Sequence, residues 1–358
     1  MTDPNYPDYI EKRFEFVIPA GQRPERLDVF LATAVANATR TKVQAAIEAG
    51  NVTLNGIIPK MSRKIQPGDV IVCTLLKPPP LELLPENIPL EARFEDDFLL
   101  VVNKPAGMVT HPGFGNRYGT LVNALLYHLG KREPIPLMLP DDEDAETDDA
   151  DDDISLLSDA VRPGIVHRLD KNTSGLLVIA KSPEIHAQLA VQFRAHTVRR
   201  EYNAIVWGRV KQNEGTISTN IGRSPRNRKM FAVVERGGKH AVTHYEVIER
   251  FGSFTLVKFR LETGRTHQIR VHATWLGHPL LGDDLYGGNV IAYSGIRSSE
   301  EKSVALRCLD LMPRQALHAR TLGFRHPVTK KDLFFGQDLP SDFVETLDFL
   351  RGNADARP

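Results

Sequence analysis

The chain of 358 residues exceeds the usual size of one domain, about 100 to 200 residues, so two folded units are expected. Its composition, 41% hydrophobic and 25% charged, is that of a soluble globular protein, and no run approaches the roughly 18 to 20 apolar residues of a membrane helix. The start, MTDPNYPDYIEKRFEF, has acids and prolines where a secretory signal has an apolar stretch. Cys73 and Cys308 lack the spacing of a metal or redox motif, so we expect a cytoplasmic protein with two buried thiols.

The formal net charge of zero conceals an uneven distribution of charge. Residues 141–153 hold ten of the 45 acidic side chains, and without them 45 basic residues face 35 acidic ones. Such a surplus fits a polyanionic partner, although scattered surface lysines and arginines would give the same sum. A block of like charges cannot bury enough surface to fold, so the acidic insertion at 138–160 is expected to be a disordered surface loop. Mimicry of RNA or docking of a basic partner is the alternative.

Residues 14–77 have the pattern of a small α+β module. Two stretches with helical apolar spacing, 27–35 and 39–49, are followed by Gly50, which ends the second helix. A short strand, VTLN, then leads into an Asn55-Gly56 hairpin turn, and a second strand, DVIVCTL, follows a Pro-Gly turn. The segments RLDVFLATAV, TRTKVQAAIEAGNVTLNG and IQPGDVI resemble, in order, the S-four type RNA-binding domain.

The resemblance implies that the paired helices and the hairpin present a basic face to RNA. Side chains on such a face contact phosphates without reading bases, and the alternative is an ordinary solvated charged surface. The candidate RNA-binding residues are Arg26, Arg40, Lys42, Lys60, Arg63 and Lys64.

Residues 78–89, PPPLELLPENIP, are proline-rich and are predicted to be a semi-rigid linker that marks the domain boundary. From residue 90 to about 345, strand-like runs alternate with a few helical stretches such as LVNALLYHL and PEIHAQLAVQF. The expected fold is a mixed α+β domain around a largely antiparallel sheet. The strand-like runs are FLLVVNK, GLLVIAK, EYNAIVWG, AVTHYEVIER, FTLVKFRLE and KKDLFFG.

The segment RPGIVHRLDKNTSGLLVIAK, residues 162–181, carries the chemistry that the sequence suggests. It places Asp170 near a turn between two extended stretches, with Arg168 two residues earlier. On general grounds such an aspartate is more often a structural ion pair than a catalyst. The segment closely resembles, however, the central motif of the RluA family of pseudouridine synthases, in which HRLD is followed two residues later by TSG or TTG.

Four further segments resemble the same family in the same order, so the resemblance covers nearly all of residues 90–335. They are VVNKPAGMVTHPG at 101–113, RREYNAIVWG at 199–208, ETGRTHQIRVHATWLGHPLLGDDLYG at 262–287 and ALHARTLGFRHPVT at 316–329. The resemblance implies an enzyme that breaks the N1–C1′ bond of uridine, turns the uracil over and joins its C5 to C1′.

Three catalytic residues follow from the resemblance. The family's catalytic aspartate matches Asp170, which acts as nucleophile or as base at the sugar. Burial would raise the pKa of this carboxylate, so a cation is needed beside it, and the family's arginine aligns with Arg265. The family's tyrosine aligns with Tyr202, which can stack on a uracil taken out of its stack and take part in proton transfer at C5; a core tyrosine is the alternative.

Other residues beside these motifs are candidate substrate-binding groups. The resemblance implies that Arg168 fills the space vacated by the flipped base, although a salt bridge is the alternative. Leu176 and Ile269 are expected to wall the pocket. His167 is expected to contact RNA or to be structural, and HQIRVH is interpreted as a strand on which histidines alternate instead of converging on a metal.

The sequence therefore predicts a monomeric enzyme without metal or cofactor whose partner is structured RNA. The expected substrate is large-subunit ribosomal RNA, because family members with the S-four type module commonly act there, and transfer RNA is the alternative. Two rivals are a non-catalytic RNA-binding ribosome-assembly factor and a nucleosidase that acts on free nucleosides. The intact Asp170, Tyr202 and Arg265 argue against the first, and the N-terminal module argues against the second.

Overall fold

A computed structural model describes most of the chain. The described residues are 10–35, 38, 40–60, 62–77, 81–112, 116, 118–137, 164–227, 230–293, 295–296 and 298–354. The predicted acidic insertion at 138–160 lies outside them. Two compact units result, and the described part of the first ends at Glu82 but also includes Pro136 and Leu137. The division between Glu82 and Leu83 falls inside the predicted linker.

The first unit has two helices and a three-stranded antiparallel sheet in the order β1-β3-β2. Its elements, in chain order, are β1 (Ile10–Val17), α1 (Leu27–Ala34), α2 (Arg40–Glu48), β2 (Val52–Leu54) and β3 (Val70–Lys77). Both helices and the last two strands were predicted. The Asn55-Gly56 turn has positive φ at both residues, 53° and 79°, as a two-residue hairpin requires.

Strand β1 was not predicted, because its charged residues concealed a period of two. Phe14 and Phe16 are half-buried, while Arg13, Glu15 and Val17 are exposed. The two phenylalanines cover a core that is formed by both helices and the sheet. Its fully buried members are Leu27, Leu31, Val43, Val52, Ile65, Ile71 and Cys73.

The second unit is built on a ten-stranded sheet. In chain order the strands and helices that follow β3 are β4 (Leu81–Leu83), β5 (Glu91–Glu95), β6 (Leu99–Lys104), α3 (Leu121–His128), β7 (Ile135–Leu137), β8 (Ser174–Ala180), α4 (Pro183–Arg194), β9 (Arg199–Trp207), β10 (Glu214–Arg223), β11 (Phe231–Val233), β12 (Lys239–Phe251), β13 (Phe254–Leu261), α5 (Gln268–Trp275), α6 (Ser299–Leu311), β14 (Leu317–Arg325), β15 (Asp332–Gly336) and α7 (Ser341–Ala354). The short strands β4 and β7, most of whose residues belong to the first unit, pair with each other outside the large sheet.

The strand order of the large sheet is β11-β10-β12-β13-β9-β14-β8-β6-β5, with β15 also paired to β14. Every pair is antiparallel except β14 with β8, so the predicted α+β fold with a largely antiparallel sheet is confirmed. The parallel contact is short and joins His318 to Ser174 and Ala319 to Gly175. Gly175 has φ +117°, and a Cβ there would lie 2.3 Å from the Ala319 carbonyl oxygen, so this junction requires glycine.

Strand β8 lies in the interior of the sheet. All its residues are buried, as the continuous apolar run GLLVIA suggests for a strand covered on both faces. Ile185 and Leu189 of α4 belong to the same core cluster as Leu176 and Val178. The loop that precedes β8 is thereby anchored to the rigid centre of the second unit.

Two sequence interpretations need correction. HQIRVH is not a strand: residues from Gln268 onward form α5, in which six consecutive residues, Gln268 to Ala273, are buried. A helix buried all round lacks an amphipathic stripe, so its pattern does not reveal it. The predicted linker is also not wholly irregular, because it contains β4, in which Leu83 is fully buried.

Cys73 and Cys308 are free and buried, as predicted. Burial raises the pKa of the Cys73 thiol to about 11 and that of Cys308 to about 12, so both stay protonated at neutral pH. None of the helices in the described ranges is long and apolar enough to cross a membrane.

Candidate active site

A cavity of about 620 Å³ in the second unit brings most of the predicted site residues together. The loop before β8, strand β9, helix α4 and the start of α5 all contribute to its wall. Asp170, Tyr202 and Arg265 line it, as do Arg168, His167 and Ile269. Leu176 does not line it, because its side chain points into the core cluster behind β8.

The turn that carries Asp170 is held by hydrogen bonds to its own backbone. The Thr173 amide donates to the Asp170 carbonyl at 3.0 Å and closes the turn. The Leu169 carbonyl accepts a bond of 2.9 Å from the Thr110 hydroxyl. The Asn172 carbonyl accepts one of 3.0 Å from Arg314. Partners on either side of the turn therefore fix the position of the aspartate.

Lys104, at the end of β6, is a further support that the sequence analysis missed. Its fully buried ammonium donates to the carbonyl oxygens of Pro105, Met108 and Lys171, at 2.8, 2.8 and 3.1 Å. Burial lowers the pKa of Lys104 to about 7, although the charge of Asp170 acts in the opposite direction. The lysine joins the NKPAG segment to the turn that bears Asp170.

Asp170 is paired with Arg270, a residue of α5. Arg270 Nη1 donates to Asp170 Oδ2 at 3.0 Å, and the Asp170 side chain is 20% exposed. Burial alone would raise the pKa of Asp170, but His267 and Arg270 outweigh it, and the pKa lies below its usual value. The carboxylate is therefore ionised at neutral pH and keeps an open face toward the cavity.

Arg270 is itself oriented by a second carboxylate. Its Nε and Nη2 donate to the two oxygens of Asp283, at 2.7 and 2.8 Å, in a bidentate pair. Asp283 is fully buried and also accepts from the amides of Leu285 and Tyr286. The guanidinium is thus locked between two carboxylates, of which only Asp170 faces the cavity.

His267 lies beside this pair, at the residue before α5. Its backbone is left-handed, with φ 55°, and its Nε2 lies 3.9 Å from Asp170 Oδ2. Its Nδ1 is 2.9 Å from the Tyr286 hydroxyl. Burial lowers the pKa of His267, and the charge of Asp170 acts in the opposite direction.

The predicted arginine needs a correction with respect to Asp170. The guanidinium hydrogen-bonded to this carboxylate belongs to Arg270, whereas Nε of Arg265 donates to the His240 carbonyl at 3.0 Å. Both arginines lie in TGRTHQIR, but Arg265 precedes the helix and Arg270 is on its first turn. Arg265 lines the same cavity, and a catalytic role for it stays a prediction.

Tyr202 lies on β9, where it pairs with Phe259 and Ala319 and is 6% exposed. Burial and the charge of Asp170 raise the pKa of its phenol, which therefore keeps its proton. The ring is available at the wall of the cavity, and a stacking role stays a prediction.

His167 and Arg168 differ in environment although they are adjacent. His167 is buried, stacks on Phe193 with ring centroids 4.8 Å apart, and accepts at Nε2 from the Val178 amide. Burial lowers its pKa to about 3, so the ring is uncharged at neutral pH, and a role in substrate binding stays a prediction. Arg168 is exposed at the rim of the cavity.

Within the described parts of the chain, no three His, Cys, Asp or Glu side chains are grouped as metal ligands would be. His272, which the sequence analysis discussed as a possible ligand, instead bonds to the Thr243 and Thr219 hydroxyls.

Two basic residues of the first unit meet at the start of α1. Arg26 and Arg40 both pair with the buried Asp28, at 2.9 Å, and together they lower its pKa, with the bond from Arg26 the strongest cause. Lys64 pairs with Arg26 through the backbone, and Lys64 is exposed. Lys60 and Arg63 are also exposed, whereas the Lys42 side chain lies outside the described residues.

Comparison with known proteins agrees with this geometry. A family model for RNA pseudouridylate synthase matches residues 98–275, and one for the S4 domain matches residues 25–71. An uncharacterized RNA pseudouridine synthase of Chlorobaculum parvum is 48% identical over 92% of this chain and 95% of its own length. The ribosomal large subunit pseudouridine synthase D of Zymomonas mobilis is 42% identical over 88% of this chain and 91% of its own.

A solved structure, human RNA pseudouridylate synthase domain containing 4, matches with a TM-score of 0.52 and 25% identity over 73% of this chain and 93% of that one. The chain belongs to the RluA family of RNA pseudouridine synthases, and it is an isomerase with an N-terminal S4 domain. The predicted family, enzyme class and RNA partner are confirmed.

Proposed function

We propose that this enzyme isomerises specific uridines of large-subunit ribosomal RNA, with Asp170 as the catalytic carboxylate and the target nucleotide flipped into the cavity. The observation that carries the proposal is the ionised carboxylate of Asp170, fixed by Arg270 and open to a nucleoside-sized cavity. The names of the relatives from Zymomonas mobilis and Pseudomonas aeruginosa, both ribosomal large subunit pseudouridine synthase D, support the choice of RNA.

The chemistry needs one carboxylate at the sugar. Asp170 attacks C1′ or removes a proton from the ribose while the N1–C1′ bond breaks, and Arg270 keeps it ionised in its partly buried setting. The uracil then turns, its C5 bonds to C1′, and the C5 proton is lost as N1 gains one. Because product and substrate are isomers, the proposed reaction includes no net redox step and needs no redox cofactor.

Tyr202 and Ile269 would then hold the base. Stacking on the buried ring of Tyr202 compensates part of the unstacking free energy, which is a few kcal/mol. Ile269, 4% exposed, adds an apolar wall. Tyr202 lines the cavity, and we assign its phenol a part in the proton transfer at C5. The exposed Arg168 at the rim would take the place of the extruded base.

The test is a map of pseudouridines across all cellular RNA in cells with the gene intact, deleted, or carrying Asp170→Asn. Particular large-subunit ribosomal sites should disappear in both altered strains and persist with the control Asp284→Asn, which removes an exposed carboxylate. Loss of sites in transfer RNA instead would overturn the assigned substrate. Normal modification by Asp170→Asn would overturn the assigned residue, and free uracil as product would indicate a nucleosidase.

Purified protein completes the test. Asp170→Asn should bind RNA within a few fold of the wild type while it releases no tritium from RNA labelled at uridine C5. Light scattering tests the expectation of a monomer, and activity after dialysis against a chelator tests the expectation that no metal is needed.

A further inference from the structure

Arg200 is a buried cation for which the proposed chemistry has so far no use. It lies on β9, two residues before Tyr202, so both side chains point to the same face of the sheet and both line the cavity. Arg200 is 7% exposed. Its Nη2 donates to the Glu262 carbonyl at 3.3 Å, and its guanidinium lies 5.3 Å from the centre of the Phe193 ring.

The guanidinium has no carboxylate partner among the residues that the structure describes. Its Nε is buried and makes no hydrogen bond there. Buried charges in proteins are paired or bound to a ligand, because an isolated charge loses several kcal/mol of hydration. Arginine does not avoid this loss of hydration by becoming neutral, because its guanidinium keeps its proton in proteins. An anion from outside the described chain would neutralise the buried charge of Arg200.

Among the described residues, the wall of the cavity contains more arginines than carboxylates. The carboxylate there is that of Asp170, which is bonded to Arg270, and Arg270 also pairs with Asp283. The arginines in the wall are Arg168, Arg194, Arg200, Arg265 and Arg270. A wall of this charge suits a substrate that brings a negative group along with its base.

Gly264 leaves room for this guanidinium. A Cβ on Gly264 would lie 2.9 Å from Arg200 Nη1, so a larger residue would displace the end of the arginine. The position therefore offers a variant that moves the charge without removing it.

We propose that Arg200 binds a phosphodiester group next to the target uridine, so that one end of the cavity holds this phosphate while Asp170 addresses the ribose. Guanidinium groups bind phosphate through charge-assisted hydrogen bonds, often bidentate, and the two Nη atoms of Arg200 supply donors of this kind. The inference rests on the proposed function, because an RNA substrate is what supplies the phosphate.

The experiment uses the full-length enzyme and a short RNA stem-loop that contains a mapped target uridine. The two phosphates that flank this uridine are replaced, one at a time, by uncharged methylphosphonates. For the wild type, one replacement should raise KM about ten- to hundredfold, the value of a hydrogen bond to a charged group. Arg200→Met should raise KM by a similar factor on natural RNA and should show little further loss on that methylphosphonate RNA.

Arg199→Met is the matched control, since it removes an exposed arginine from the same strand. It should leave the methylphosphonate effect intact. Arg200→Lys should recover part of the lost affinity. If Arg200→Met unfolds, Gly264→Ala replaces it and should show the same loss of response to the methylphosphonate.

Three outcomes decide the matter. If Arg200→Met and the methylphosphonate each raise KM and their two factors multiply when the changes are combined, the two act independently. That result would overturn the phosphate site and indicate a structural arginine. Equal KM for wild type and Arg200→Met on natural RNA would also overturn it. Failure of the wild type to form any pseudouridine would refute the proposed function instead, so the two failures are distinguishable.

Discussion

The bidentate pair between Asp283 and Arg270 offers a sharp test of how the site is held. Asp283→Asn removes the charge that faces Arg270 and disturbs four hydrogen bonds, two from the guanidinium and two from backbone amides. Because Asp283 is fully buried, breaking this pair should lower the free energy of unfolding by about 3 to 5 kcal/mol. In a unit of this size that is a fall in Tm of roughly 6 to 20 °C.

Asp170→Asn should behave differently. Its side chain is 20% exposed and accepts one hydrogen bond from Arg270, which keeps its bidentate partner. The expected loss of stability is therefore about 1 kcal/mol or less, although activity is abolished. Asp283→Asn should retain some turnover, reduced roughly a hundredfold because Arg270 no longer positions Asp170.

Thermal denaturation followed by circular dichroism and tritium release from RNA measure the two effects. Asp284→Asn, which changes the adjacent exposed carboxylate, is the control and should melt with the wild type. An equal Tm for Asp283→Asn and Asp284→Asn would refute the roles assigned to these carboxylates. A lower Tm for Asp170→Asn than for Asp283→Asn would refute them as well.

Three further predictions concern charge. Arg270→Gln removes a charge and a hydrogen bond that lower the pKa of Asp170, while His267 and Arg168 remain, so this pKa rises and the acidic limb of kcat/KM should move to higher pH. An unmoved limb in a folded variant would contradict the ion pair. Burial lowers the pKa of Lys104 to about 7, so between pH 7 and about 10.4 the unfolded chain holds one more proton than the folded chain, and stability rises with pH. Lys104→Met should lose this rise, which is measured as Tm against pH. Identical pH profiles of Tm for the variant and the wild type would contradict the lowered pKa of Lys104. Arg63→Ala with Lys64→Ala should weaken RNA binding and make the slope of log affinity against log salt shallower by about 0.7 to 0.9 for each lost phosphate contact, as measured by filter binding; an unchanged slope would place RNA elsewhere.

Local patterns foretold much of the fold. Alternation and turn residues located most strands, and the two helices of the first unit follow from their apolar spacing. Strand β1 was not predicted, because half of its side chains are charged and only Phe14 and Phe16 mark its inner face. Helix α5 was not predicted, because its polar residues are buried and hydrogen-bonded, so they do not mark an exposed face. Gln268 bonds to Thr263, Arg270 to Asp283 and His272 to Thr243.

Some residues of the candidate site were found from the sequence, and others only from the structure. Asp170 and Tyr202 were found through motifs, and both line the cavity. Arg265 was predicted beside Asp170, but the guanidinium of Arg270 is the one that hydrogen-bonds to it, because TGRTHQIR continues into a helix, which the motif does not reveal. Asp283 and Lys104 lie in matched segments, but the sequence does not show their partners: Asp283 binds Arg270 across the turn after α5, and Lys104 binds the carbonyl of Lys171, 67 residues later.

The parallel junction of β8 with β14 also has a consequence for synthesis. The loop bearing Asp170 is made early, but its backbone is tied by Arg314, and Ser174 contacts His318 at 2.9 Å. Thr110 and Lys104 are made before the loop, but a ribosome must translate more than 140 further residues before the supports from Arg314 and His318 exist. Nascent chains should accordingly remain inert toward nearby RNA until β14 has emerged from the exit tunnel and inserted between β8 and β9.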